Sequence, residues 1–110
     1  MELLVEVYRV TKGYPEEERF GLAIHTRRTA VSIASNIAEG YARRHRPEYL
    51  RHLDIAYGSA AELETQLIAV ERLGFVTANE QAFQLHAEVE RMLASLPRVL
   101  RRDSSKPSNP

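Results

Sequence analysis

From Tyr49 the apolar residues Leu53, Ala56, Ala60, Leu63, Leu67 and Val70 follow at steps of 4, 3, 4, 3, 4 and 3. A spacing averaging about 3.5 residues and sustained for three repeats makes one apolar seam along a helix, of the kind that packs in bundles at shallow crossing angles. Pro47 falls in the first turn of this helix, where its missing N–H is harmless, and Gly74 closes it after Leu73. The middle of the seam is small: Ala56, Gly58, Ser59, Ala60 and Ala61. A glycine inside a helix costs about 1 kcal/mol relative to alanine, so Gly58 needs a reason, and close approach of another backbone is the expected one.

At 110 residues the chain has room for one domain with one core. Residues 2–12 read as a short helix with Leu3, Leu4, Val7, Tyr8 and Thr11 on one stripe, ended at Gly13 by a left-handed cap and at Pro15. Glu16, Glu17 and Glu18 then favour the positive end of a second helix running from about residue 16 to 38. Phe20, Ala23, Ile24, Ala30, Val31, Ala34 and Ile37 form its expected core face, and Gly40 its left-handed cap. Thr77 or Asn79 caps a fourth helix whose stripe is Leu85, Val89, Met92, Leu93, Leu96, Val99 and Leu100, with Pro97 expected to kink or end it. Residues 103–110 hold no apolar side chain and read as a disordered tail. The expected fold is all-α: an antiparallel up-down-up-down four-helix bundle over residues 1–102.

A polar line accompanies the apolar stripe of the second helix. Arg28, Ser32, Asn36 and Glu39 recur at steps of 4, 4 and 3, next to small alanines rather than among the lysines and glutamates of a solvated face. If buried, such groups need partners, because an unpaired one costs about 1–3 kcal/mol. Gly58, Ser59, Glu62 and Glu64 on the third helix are the expected complements. The ordinary interpretation is a structural network fixing helix register or a subunit interface, and it outweighs a ligand site.

The densest basic cluster lies between the second and third helices. Residues 41–52 contain Arg43, Arg44, Arg46 and Arg51 against Glu48, a local net charge of +3 in a chain whose 15 basic and 15 acidic residues balance. A solvated loop is the ordinary reading; phosphate contact, with Tyr41 and Tyr49 available for stacking on bases, is the functional one. Arg98, Arg101, Arg102 and Lys106 form a second basic group near a helix C-terminus, where the dipole alone favours cations.

Other chemistry finds little support. The chain lacks cysteine, which suits a reducing, cytoplasmic setting. No apolar run is long enough to span a membrane, and no basic leader is visible. The four histidines, His25, His45, His52 and His86, are scattered without a Glu-x-x-His pair, so neither a metal nor another cofactor is expected. Glu62 and Glu64 stand two apart on a helix, pointing to different faces, and make a poor acid–base pair. No catalytic residue is expected.

Three stretches carry a resemblance: Tyr14 through Leu22; Arg28 through Gly40, containing Ser-Ile-x-x-Asn-Ile-Ala-Glu-Gly; and Leu53 through Glu64, containing Gly-Ser-x-x-Glu-Leu-Glu. Over roughly residues 3–100 the chain resembles the small four-helix-bundle proteins named after intervening sequences in bacterial 23S ribosomal RNA genes. It is also similar to the accessory proteins of diversity-generating retroelements. His25 stands where the family commonly has Gln, and Thr29 where it commonly has Ala. The resemblance implies a four-helix bundle, no enzyme activity and assembly as a homopentameric ring. Its retroelement members work with a reverse transcriptase and nucleic acid. The expected role is therefore a non-enzymatic protein associated with RNA or DNA through Arg43, Arg44, Arg46 and Arg51. The alternative is a protein–protein adaptor, such as a partner of a reverse transcriptase, that does not itself bind nucleic acid.

Overall fold

The computed structural model describes residues 1–76 and 79–104, without the side chains of residues 103 and 104. The described residues form four α-helices and no strand: α1 (Glu2–Thr11), α2 (Leu22–Ala42), α3 (Arg46–Arg72) and α4 (Glu80–Ser104). Consecutive helices pack on one another and α1 also packs on α4, closing the ring of an all-α four-helix bundle; α2 against α3 is the most extensive pairing. Thr77 lies outside the described residues, as do residues 105–110 of the expected tail, whose first two positions instead continue α4.

The α3 seam forms as its spacing requires. Leu53, Ala56, Ala60, Leu63, Leu67 and Val70 are fully buried, while Tyr49 is half-buried at the end of the bundle. The helix closes in a Schellman arrangement. Gly74, with φ +74°, donates its N–H to Glu71 O at 3.0 Å, and Phe75 donates to Val70 O at 3.0 Å.

α2 departs from expectation in both extent and face. The Glu16–Glu18 segment is a separate 3₁₀ turn, and α2 begins only at Leu22. Its buried face is Ala23, Thr26, Thr29, Ala30, Ile33 and Gly40, with Ile37 packed against it. Phe20 is 82% exposed and Val31 is also exposed. Thr26 can occupy a core position because its hydroxyl donates to Leu22 O at 2.7 Å within the helix.

The glycines invert their expected roles. Gly74 is the sole residue with positive φ among those described, so neither Gly13 nor Gly40 is a left-handed cap. Gly40 lies inside α2, which runs on to Ala42, and a Cβ there would sit 2.9 Å from both His52 Cβ and Tyr49 Cδ1. That close approach between helices was expected at Gly58, where a Cβ would meet nothing within 4 Å of this chain. In α1, Val10 and Glu6 are buried where Tyr8 was expected; Tyr8 is exposed and lies beneath the Arg27 guanidinium, 4.8 Å from the ring centre. Arg9 pairs with Glu6, its Nε 2.8 Å from Oε1, and holds that carboxyl below the ordinary range. α4 does not end at Pro97; the helix carries through it with the ring buried. Met92 and Val99 of its expected stripe are exposed, Leu93 is buried as expected, and Ala82 and His86 join the buried face.

Candidate functional site

Two regions concentrate polar chemistry. The first is the contact between α2 and α3. Ser32 Oγ and Ser59 Oγ are hydrogen-bonded at 2.9 Å across the two helices. Asn36 donates from Nδ2 to Ser32 O at 2.9 Å, which leaves its Oδ1 to accept from His52 Nδ1 at 3.0 Å. His52, its side chain 6% exposed, also has Glu39 Oε2 at 3.9 Å. Farther along, His25 Nε2 donates to Glu62 Oε1 at 3.0 Å, and Gln66 donates to Thr29 Oγ1 at 3.2 Å while approaching Glu62 at 3.5 Å. His25 and Thr29 thus both belong to this network.

Of the residues expected to form the seam, Ser32, Asn36, Glu39, Ser59 and Glu62 come together. Arg28 does not: it is exposed on the outer side of α2, beside Tyr8, Ile24 and Val31. At about 100° per residue, each step of four turns the line by about 40°, so Arg28 has drifted about 80° from Asn36. Glu64, about 140° around α3 from Ser59, faces α4 and lies 3.8 Å from His86 Nδ1. Gly58 touches neither partner helix. His25, Thr29, His52 and Gln66 are the members that sequence reasoning did not place in the network. Histidine in an arginine-rich run reads as part of the basic cluster, although its burial one turn from Tyr49 follows from its position next to Leu53. Two buried atoms of the network, His52 Nε2 and Gln66 Oε1, have no hydrogen-bond partner among the described residues.

The second region is the end of the bundle where α2 turns into α3. Up-down topology brings the C-terminal turns of α4 to this same end, joining basic groups that are about 50 residues apart in the chain. Arg46 Nη1 donates to Leu100 O of α4 at 3.5 Å, and Arg101 Nη2 lies 3.7 Å from Asp54 Oδ2 of α3. Arg43 approaches Glu48 at 4.0 Å, whereas Arg44 and Arg51 are exposed without a carboxylate partner among the described residues. Tyr41, 80% exposed, stands edge-on to Tyr49, with ring centres 6.5 Å apart. The surface is cationic, accessible and flanked by an aromatic ring.

α3 and α4 also bring together Glu64, His86 and Glu90, a grouping that linear spacing conceals because Glu64 is 22 residues from His86. No described helix is long and apolar enough to cross a membrane. The family model described as 23S rRNA-intervening sequence protein matches residues 1–97. No curated protein matches the chain.

Proposed function

The chain belongs to the 23S rRNA-intervening sequence protein family, and from that premise we propose a non-enzymatic, nucleic-acid-associated protein that contacts phosphates through its arginine-rich end. One observation carries this reading. The connection bearing Arg43, Arg44, Arg46 and Arg51 and the α4 turns bearing Arg98, Arg101 and Arg102 are drawn to one end of the bundle by the Arg46–Leu100 and Arg101–Asp54 contacts. Counterion release makes such a surface bind polyanions without sequence preference and with strong salt dependence. The proposed assembly is a homopentamer, which would repeat the cationic patch around a ring and raise the local potential.

Gel-shift titration against structured RNA and DNA, repeated over a range of salt concentrations, tests the patch. Arg43→Glu with Arg44→Glu should weaken binding and reduce the slope of log K against log salt. The reduction should be about 0.9 for each phosphate that is no longer neutralised on duplex DNA, and about 0.7 on a single strand. Unchanged affinity and slope would defeat the proposal.

A second reading, a protein–protein adaptor such as a partner for a reverse transcriptase, is favoured by the outer face of α1 and α2. Val5 is 69% exposed, and Tyr8 and Val31 are exposed beside it. Capture of a protein partner that withstands nuclease and high salt would favour that reading over direct nucleic-acid contact.

A further inference from the structure

His86 sits on α4 with its side chain 2% exposed, and Glu90 lies one turn farther along the same helix. The imidazole is oriented by the main chain of the neighbouring helix: Nε2 donates to Ala60 O of α3 at 2.7 Å. A neutral imidazole has a single N–H, so this bond fixes the tautomer and leaves a lone pair on Nδ1. That lone pair makes no hydrogen bond to a described residue. It meets Glu64 Oε2 at 3.8 Å, and Glu90 Oε2 lies 3.9 Å from Nε2. A carboxylate oxygen accepts rather than donates when ionised, so two acceptors, the Nδ1 lone pair and a Glu64 oxygen, face the same space. A positive centre completes such an arrangement.

We propose that Glu64, His86 and Glu90 bind one divalent transition-metal ion, zinc being the representative case, at the α3–α4 contact. One donor atom from each residue lies within 4.8 Å of the other two. Tetrahedral zinc, with bonds of about 2.0–2.2 Å, holds its ligands about 3.3 Å apart. The fixed imidazole needs no movement to serve, and the two half-exposed carboxylates have the rotamer freedom to close the remaining distance. The bond from Nε2 to Ala60 O is the outer contact that metal-bound histidines characteristically make, setting ring orientation and basicity. One imidazole with two carboxylates suits zinc, manganese or ferrous iron; all-oxygen sites are the habit of calcium and magnesium, and thiolates of cuprous copper. Three protein donors leave a fourth position for water. The metal would bolt α3 to α4 and requires nothing of the arginine-rich end.

Calorimetric titration of the full chain with zinc chloride in chelator-free buffer tests the site. One zinc per chain is expected, with cobalt giving the intense visible bands of four-coordination and magnesium giving no heat. Glu64→Gln and Glu90→Gln alter half-exposed positions and should keep the helical circular dichroism, while each weakens zinc binding by about 10-fold or more. His25→Ala, which removes the exposed His25–Glu62 pair, should leave zinc affinity unchanged. Failure of the wild-type chain to bind zinc would overturn the proposal. Indifference of binding to both glutamine variants, or its loss in His25→Ala, would overturn it equally.

Discussion

Two histidines are buried against opposite sides of α3, and each is held by a different ring nitrogen. His52 faces α2 and donates from Nδ1 to a side chain, Asn36, which is itself tied to Ser32 and through it to Ser59. His86 reaches across from α4 and donates from Nε2 to a backbone carbonyl, leaving its other nitrogen turned toward a carboxylate it does not reach. On the α2 side the bonded run from Ser59 to His52 passes through the short residues Ser32 and Asn36. Gly40 lets the helices approach closely, and Ser, Asn and His bond directly across them. The α4 side carries long, half-exposed acids that surround the histidine without bonding it. Small polar residues between helices make a lock, whereas long acidic ones around a buried imidazole make a receptacle.

Breaking the lock should have the larger effect. Asn36→Ala strips the partner from His52 Nδ1 and leaves both ring nitrogens buried and unpaired, a loss of about 1–3 kcal/mol that chemical denaturation would measure. Full stability in this variant would mean that His52 finds another acceptor.

Gly58→Ala sharpens the contrast with the opposite sign. The added methyl enters open space in this chain, so helix propensity should raise stability by up to about 1 kcal/mol, read as a higher melting temperature. If Gly58 instead lies against another subunit of the proposed pentamer, the same substitution should lower the assembled mass in light scattering below that of wild type.

The smallest effect is expected at Tyr14, whose buried hydroxyl has no well-formed hydrogen bond among the described residues. Burial holds its phenol above the ordinary range, and the Thr26 hydroxyl beside it pulls the other way more weakly. At neutral pH both folded and unfolded chains keep this proton. Above about pH 10 the unfolded chain releases it first, so its stabilising contribution fades as pH rises through the folded value. Tyr14→Phe should therefore change neutral stability by less than about 1 kcal/mol and flatten the alkaline decline measured by thermal melts at stepped pH.

The contrast also explains what the linear chain disclosed. α3 was legible because each position of its seam from Leu53 to Val70 is apolar, leaving one consistent face. α2 was not, because its true face includes Thr26, Thr29 and Gly40, while Phe20 and Val31 supply a false apolar stripe on the outside. Ser32, Asn36 and Ser59 showed themselves by type and spacing. Gln66 and His52 did not, since long polar residues declare burial only when a partner helix is placed opposite them. The meeting of the two arginine groups and of Glu64 with His86 depends on which helix ends and faces become neighbours, a property of the packed bundle rather than of any short segment.

The passage of α4 through Pro97 gives that helix an uneven stiffness. Proline has no N–H to offer the carbonyl four residues earlier, so the rung to Leu93 is missing and the rod is compliant there. Beyond this joint lie the turns carrying Arg98, Arg101 and Arg102, moored to α3 through Asp54 and Arg46. The last turns of α4 are therefore held to the bundle by their own contacts beyond Pro97, as well as by the helix ladder that the proline interrupts.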